Sequence, residues 1–179
     1  MTDLVLTLIG PDRPGLVEAV AEIVAAHGGN WLESRMARLA GQFAGILRVE
    51  VPKDKADAAL AALAGLEPRG LKVAGEPSAE GSSPSGGRTL DLELVGLDRP
   101  GIVREISQLL ANSGANVEEL STDRSSAPMS GEMLFVAKAR VRLPSSGDLA
   151  ALRAALERLA SDLAVEIRLV ETALEHRMG

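Results

Sequence analysis

Two stretches of the chain, residues 3–9 and 89–96, place leucine at every second position. The alternation is strict over Leu90–Leu94, where the residues between the leucines are acidic. Leucine also occupies every second position over Leu4–Leu8. A period of two is typical of a strand that buries one face. Each stretch is therefore predicted to be a β-strand with a buried leucine face.

A helical period follows each predicted strand. The helix after the first strand is predicted over 14–27 in the first half, and its counterpart in the second half is predicted to begin at Pro100. We expect this proline in the first helical turn, because its missing N–H costs nothing there. Gly28 and Gly114 are expected to end the helices. The apolar faces consist of Leu16, Val20, Ile23 and Val24 in the first helix and of Ile102, Ile106, Leu109 and Leu110 in the second.

The rest of each half contains two hairpin strands, a second helix and a closing strand. The strands are predicted over 30–40, 43–51 and 71–75, and over 116–124, 132–143 and 164–172. The second helices follow apolar stripes at Ala56, Leu60, Leu63 and Ala64, and at Leu149, Leu152, Leu156, Leu159 and Leu163. The order β-α-β-β-α-β, present twice, predicts an α+β protein with two ferredoxin-like domains. Each domain should have an antiparallel sheet with helices on one face.

The two halves are copies of one another at an offset of 86 residues. Residues 10–33 and 96–119 are identical at ten of 24 positions. Between the copies lies a stretch rich in Ser, Gly and Pro, which is typical of a flexible linker. We therefore predict a first domain over 1–77, a linker over 78–87, a second domain over 88–174 and a tail over 175–179.

The strands at 44–47 and 133–137 are apolar without strict alternation. Such runs are typical of strands that are buried on both faces. A four-stranded sheet with helices on one side leaves its other face open. We infer that this face or the sheet edge meets another copy, in cis or in trans, and we expect a homo-oligomer.

Composition narrows the function classes. The formal net charge is −6, whereas nucleic-acid surfaces need clustered Lys and Arg. Cysteine is absent, only two histidines are present and aromatic residues make up 2% of the chain. The sequence therefore offers no thiol and few histidine or aromatic side chains for catalysis or for base stacking. We predict no catalytic residues, no metal ligands and no cofactor. No apolar run reaches membrane-spanning length and no signal peptide is evident, so we expect a cytoplasmic protein.

The tetrapeptide Asp-Arg-Pro-Gly occurs in both copies, between the first strand and the first helix. The N–H groups at a helix N-terminus favour an anionic group such as a carboxylate, and Asp12 or Asp98 could accept from an ammonium group. The same residues could instead cap and start the helix. Asn30 and Asn116 could bind a zwitterion or complete the turn after the helix.

Other charged residues have simpler interpretations. His27, at the end of the first helix, is expected to cap it or to be solvated, since its counterpart in the second copy is Ser113. Arg35, Arg38 and Arg48 are expected to be strand-surface charges.

The pattern of a strand, Asp-Arg-Pro-Gly-Leu/Ile-Val, an aliphatic helix and Gly-x-Asn resembles the ACT domain, a small-molecule regulatory module. Two such domains over about 3–77 and 88–172 resemble the glycine cleavage system transcriptional repressor family. The resemblance implies an amino-acid sensor whose ligand, glycine or a similar amino acid, sits at an interface between ACT units. The residues it implies are Asp12, Gly15, Leu16, Asn30, Asp98, Gly101, Ile102 and Asn116.

The resemblance also implies a protein partner, such as a transcription activator, rather than direct DNA binding. Two alternatives are a ligand-free interaction module and an enzyme related to formyltetrahydrofolate deformylases, whose N-terminal part resembles one such unit. RNA-recognition modules share the βαββαβ order, but the aromatic and basic strand motif they need is absent from this sequence.

Overall fold

A computed structural model of the chain describes residues 1–78 and 86–172. Most of the predicted linker, residues 79–85, lies outside the described residues, as do the predicted tail and the last two residues of the predicted second domain. The chain forms two compact units, Met1–Ser82 and Ser83–Gly179.

The first unit has the predicted order of elements. Its strands are β1 (Thr2–Pro11), β2 (Asn30–Leu39), β3 (Gln42–Val51) and β4 (Lys72–Pro77), and its helices are α1 (Leu16–Ala26) and α2 (Ala56–Ala64). Short 3-10 turns at Lys53–Lys55 and Glu67–Arg69 flank α2. The strands form one antiparallel sheet in the order β2-β3-β1-β4.

The second unit repeats this architecture. Its strands are β5 (Arg88–Leu97), β6 (Asn116–Ser126), β7 (Met133–Leu143) and β8 (Glu166–Glu171), and its helices are α3 (Ile102–Asn112) and α4 (Leu149–Leu163). The sheet order β6-β7-β5-β8 matches that of the first unit. The predicted α+β fold of two ferredoxin-like domains is confirmed.

The alternating leucines of the two central strands form the heart of each core. Leu4 and Leu6 in β1, like Leu90 and Leu94 in β5, have no exposed surface. They pack with buried residues of the two helices of their own unit, in two separate clusters. The period-two pattern therefore reports correctly which sheet face meets the helices.

The other face of each sheet is not covered by helices of its own unit. Ile9 and Ile46 on this face of the first sheet are 48% and 52% exposed. The apolar runs at 44–47 and 133–137 therefore do not belong to strands that one unit buries on both faces. That these faces meet another copy stays a prediction.

The start of α1 and α3 differs from the sequence-based expectation. Pro14 and Pro100 precede the helices instead of lying in their first turns. Gly15 and Gly101 are the N-cap residues, with φ of 88° and 94°. Because this left-handed conformation is costly for residues with a Cβ atom, glycine is favoured at this turn. Neither helix has a side-chain cap, so Asp12 and Asp98 do not cap them.

The predicted ends of these helices are confirmed. Gly28 and Gly114 have φ of 72° and 71°, and both follow the last helical turn. His27 Nδ1 lies 2.8 Å from the carbonyl oxygen of Ile23. Ser113 Oγ donates to the equivalent carbonyl at 2.9 Å. The two side chains therefore serve the same capping role although only one is a histidine.

Candidate ligand-binding turns

In each unit the turn between the first strand and the first helix lies beside the first hairpin. The backbone N–H of Asp12 donates to the carbonyl of Gly41 at 2.9 Å. In the second unit the N–H of Asp98 donates to the carbonyl of Met133 at 2.8 Å. These bonds hold the Asp-Arg-Pro-Gly turn against the loop end of the hairpin.

An ion pair makes a second connection at the same place. Asp12 Oδ2 lies 2.9 Å from Arg38 Nε, and Asp98 Oδ2 lies 2.7 Å from Arg124 Nε. The two arginines are 86 residues apart, as the two aspartates are. Arg38 is indeed on the strand surface, yet it has a specific partner there. Sequence reasoning missed Arg124, and the shared offset is the signal that could have found both.

The glycine of each turn leaves open space beside the backbone. A Cβ atom built on Gly15 would meet only the Glu18 carboxylate, at 3.9 Å. A Cβ atom built on Gly101 would meet only the Glu105 carboxylate, at 3.8 Å. A small ligand can therefore approach the first helical N–H groups, which carry the positive end of the helix dipole.

The hydrophobic residues after these glycines have a different role. Leu16 and Ile102 are buried, 8% and 2% exposed, and belong to the two cores. Their side chains anchor the helix starts. Leu16 also lines the groove beside the turn of the first unit.

A groove of about 470 Å³ runs along the turn of the first unit. It is lined by side chains of both charges, including Arg13, Glu18, Glu22 and Arg69, and its floor includes Leu66 and Leu71. A lining with both charges suits a zwitterion better than a simple anion or an apolar molecule.

Asn30 and Asn116 lie at the far end of each sheet from the turns. Asn30 pairs with Glu50, whereas Pro11, next to the turn, pairs with Gln42. Gln42 and Glu50 are eight residues apart along β3, which corresponds to about 27 Å at about 3.4 Å per residue. One unit therefore keeps its turn and its asparagine apart. A ligand that contacts both needs the turn of one unit beside the β2 or β6 start of another, so the predicted grouping stays a prediction.

Apart from these turns, the described residues include few side chains arranged for metal binding or catalysis. Over 1–78 and 86–172 no group of three or more His, Cys, Asp or Glu side chains could hold a metal ion. None of the polar or charged residues in these ranges is buried. No helix among them has the length and apolarity to cross a membrane.

Comparisons with known proteins agree with this architecture. Family profiles that describe an ACT domain match residues 2–69 and residues 85–166. Among curated protein sequences, none matches this chain.

Solved structures of the same length share the fold of the whole chain. A protein of unknown function from Galdieria sulphuraria is 30% identical, with a TM-score of 0.85 over 96% of this chain and 99% of its own. A protein provisionally described as a glycine cleavage system transcriptional repressor is 21% identical, with a TM-score of 0.71 over 96% of this chain and 97% of its own. A formyltetrahydrofolate deformylase from Pseudomonas syringae is 28% identical, but the match covers 51% of this chain and 30% of the enzyme, with a TM-score of 0.41.

Proposed function

The chain belongs to the ACT-domain family, with one ACT domain in each half, and from this we propose that it is a non-enzymatic regulator that binds a small amino acid. The observation that carries the proposal is the duplicated turn. In both units a left-handed glycine exposes the helix N-terminus beside an aspartate. Two copies of an accessible dipole end next to a carboxylate are suited to a zwitterion.

The proposed binding mode assigns one charge of the ligand to each part of the turn. The ligand carboxylate accepts from the N–H groups that follow Gly15 or Gly101. The ligand ammonium donates to Asp12 or Asp98, in competition with Arg38 or Arg124. An exposed ion pair of this kind contributes about 0.2–1 kcal/mol, so a ligand can replace the arginine at little cost.

We propose that the bound amino acid changes contacts with a protein partner, such as a transcription activator, in the cytoplasm. Regulation of this kind needs only different affinities of the ligand for two conformations or assemblies. The resemblance to the repressor family and the net charge of −6 support a protein partner over direct contact with DNA.

Titration calorimetry of the purified chain with each of the twenty amino acids tests the proposal. We expect saturable heat from glycine or a similarly small amino acid, and little from large ones. A flat response to all twenty would favour a ligand-free interaction module. Release of formate from formyltetrahydrofolate by the purified chain would contradict the non-enzymatic assignment.

A further inference from the structure

The two sheets differ on the faces that point away from their helices. We call the face of the first sheet open face 1; its centre consists of Val5, Thr7, Ile9, Ala44, Ile46 and Ala74. These side chains alternate with the buried ones of β1 and β3 and with the half-buried Val73 of β4. Most of them, including the half-exposed Ile9 and Ile46, line a shallow groove of about 580 Å³. Open face 1 is therefore uncharged at these six positions, with Arg35, Arg48 and Lys72 beside them on the same face.

The corresponding face of the second sheet, open face 2, is charged where open face 1 is not. The strand registers place Asp91, Glu93, Lys138 and Arg168 at the positions that Val5, Thr7, Ile46 and Ala74 occupy in the first unit. Arg140 lies 3.3 Å from Asp91 and 3.7 Å from Glu119 on this face. Its counterpart Arg48 lies 4.0 Å from Glu33 but has Val5 in place of Asp91. Such charges are stable in water and costly to bury. The duplication thus provides a solvated face to compare with open face 1.

Open face 1 carries opposite charges on its β4 edge, on either side of the centre. Register between β1 and β4 aligns Val5 with Glu76, Thr7 with Ala74 and Ile9 with Lys72. Lys72 and Glu76 are thus one row above and one row below the row of Thr7. A half-turn about an axis along that central row exchanges the two outer rows.

We propose that two copies of this chain pair through open face 1, related by a two-fold axis that lies in the interface and runs across the strands along the Thr7 row. Lys72 of each copy then faces Glu76 of the other, so two ion pairs form. Ile46 meets its own counterpart, and Val5 lies over Ile9 of the other copy. The partner is therefore a second copy of the chain, and the contact is isologous.

The charges select this axis over the other simple one. An axis parallel to the strands would place β4 over β2 and would bring Glu76 opposite Glu33 of the other copy. Like charges that face each other across an interface are destabilising. With the axis across the strands, Glu33 instead faces Ala37 and Arg48 faces Ala44. The one like-charge contact is then between the two copies of Arg35 on the axis, against two Lys72–Glu76 pairs.

The size of the face suits a reversible dimer. Four strands about 4.8 Å apart and strands of ten residues give each copy a face of roughly 500–600 Å². Two copies would bury roughly 1,100 Å², near the lower end of specific interfaces. Packed sheets stand about 10 Å apart with their strands nearly aligned, which this axis allows.

Charge reversal on the full chain, followed by sedimentation equilibrium, tests the pairing. We expect a wild-type dimer, and an increase of about tenfold or more in the dissociation constant for Lys72→Glu or Glu76→Lys alone, since each creates two like-charge contacts. The double variant Lys72→Glu/Glu76→Lys should restore the wild-type value. A mixture of the two single variants should form a heterodimer more tightly than either forms a homodimer.

Two further variants decide between this interface and others. Ile46→Glu, at the centre of open face 1, should give a monomer with an unchanged far-ultraviolet circular dichroism spectrum. Glu166→Lys, the matched position to Lys72 on open face 2, should leave the dimer intact. A monomeric wild type, a dimer that survives Ile46→Glu through pairing of sheet edges, or a double variant that fails to recover would each overturn the proposal. The proposal is independent of amino-acid binding.

Discussion

At the scale of single residues, four left-handed glycines allow effects on stability to be separated from effects on the proposed ligand binding. Gly15 and Gly101 adopt left-handed conformations at the start of helices, and Gly28 and Gly114 adopt them at the end. A Cβ atom has room at all four positions, with no contact closer than 3.7 Å. The four glycines therefore bear similar backbone constraints but lie at opposite ends of α1 and α3.

Alanine at the four glycines should separate stability from binding. Each substitution should lower the free energy of unfolding by about 1 kcal/mol, because a Cβ atom is disfavoured at these φ values. The pair Gly15→Ala/Gly101→Ala should also abolish the amino-acid response in calorimetry, whereas the control pair Gly28→Ala/Gly114→Ala should keep it. Equal loss of binding in the two pairs would mean that the turn residues act only through stability.

Removal of the arginines from the ion pairs should reveal the role of the aspartates. In the variant Arg38→Gln/Arg124→Gln, Asp12 and Asp98 lose their competing cations, so the amino acid should bind several-fold more tightly. The free energy of unfolding should fall by less than about 1 kcal/mol, since both arginines are exposed and both aspartates are partly exposed. Calorimetry and urea denaturation measure the two effects. Weaker binding would instead assign the ligand carboxylate to the arginines.

At the scale of elements, local pattern predicts the type and order of strands and helices well, and their ends less well. The leucine alternation predicts both central strands, and the apolar stripe predicts α4 at its observed bounds. The predicted start of α1 and α3 was wrong. Proline and aspartate are compatible with several turn geometries, and only the left-handed conformation of the glycine distinguishes among them. Similarly, β8 begins at Glu166 and not at 164, because Ala164 takes φ of 52° and ends α4.

Capping offers a direct test of these helix starts. Asp148 is the N-cap of α4, and its Oδ1 accepts from the N–H of Ala151 at 3.0 Å. Asp148→Ala should therefore lower the free energy of unfolding of the second unit by about 1 kcal/mol. Asp98→Ala should cost less, because Asp98 caps no helix and its side chain has only a partly exposed ion pair. Urea denaturation followed by circular dichroism compares them, and an equal loss would contradict the assigned N-cap at Gly101.

At the scale of the whole molecule, the sequence singles out candidate site residues but does not show how far apart they lie. The repeat singles out the turns and the asparagines without a structure. It cannot show that one unit holds them about 27 Å apart, because that distance depends on strand register. The two units share the same strand register, so their open faces differ because different residues occupy matched positions. Which residues lie together on a sheet depends on the pairing of strands that are distant in the chain, and the local hydrophobic period does not reveal that pairing.

If the ligand binds between two units, the asparagines should contribute to its affinity. If it binds within one turn, they should not. Asn30 and Asn116 are exposed at the β2 and β6 starts, so Asn30→Ala/Asn116→Ala should leave the stability of the ligand-free chain unchanged. If the turn of another unit lies beside these asparagines, each substitution removes a hydrogen bond to a charged ligand. The affinity for the amino acid should then fall about tenfold or more. Calorimetry measures that loss, with the exposed Asn112→Ala as the control. Unchanged affinity would confine the ligand to the turn and would show that binding does not require two units to meet.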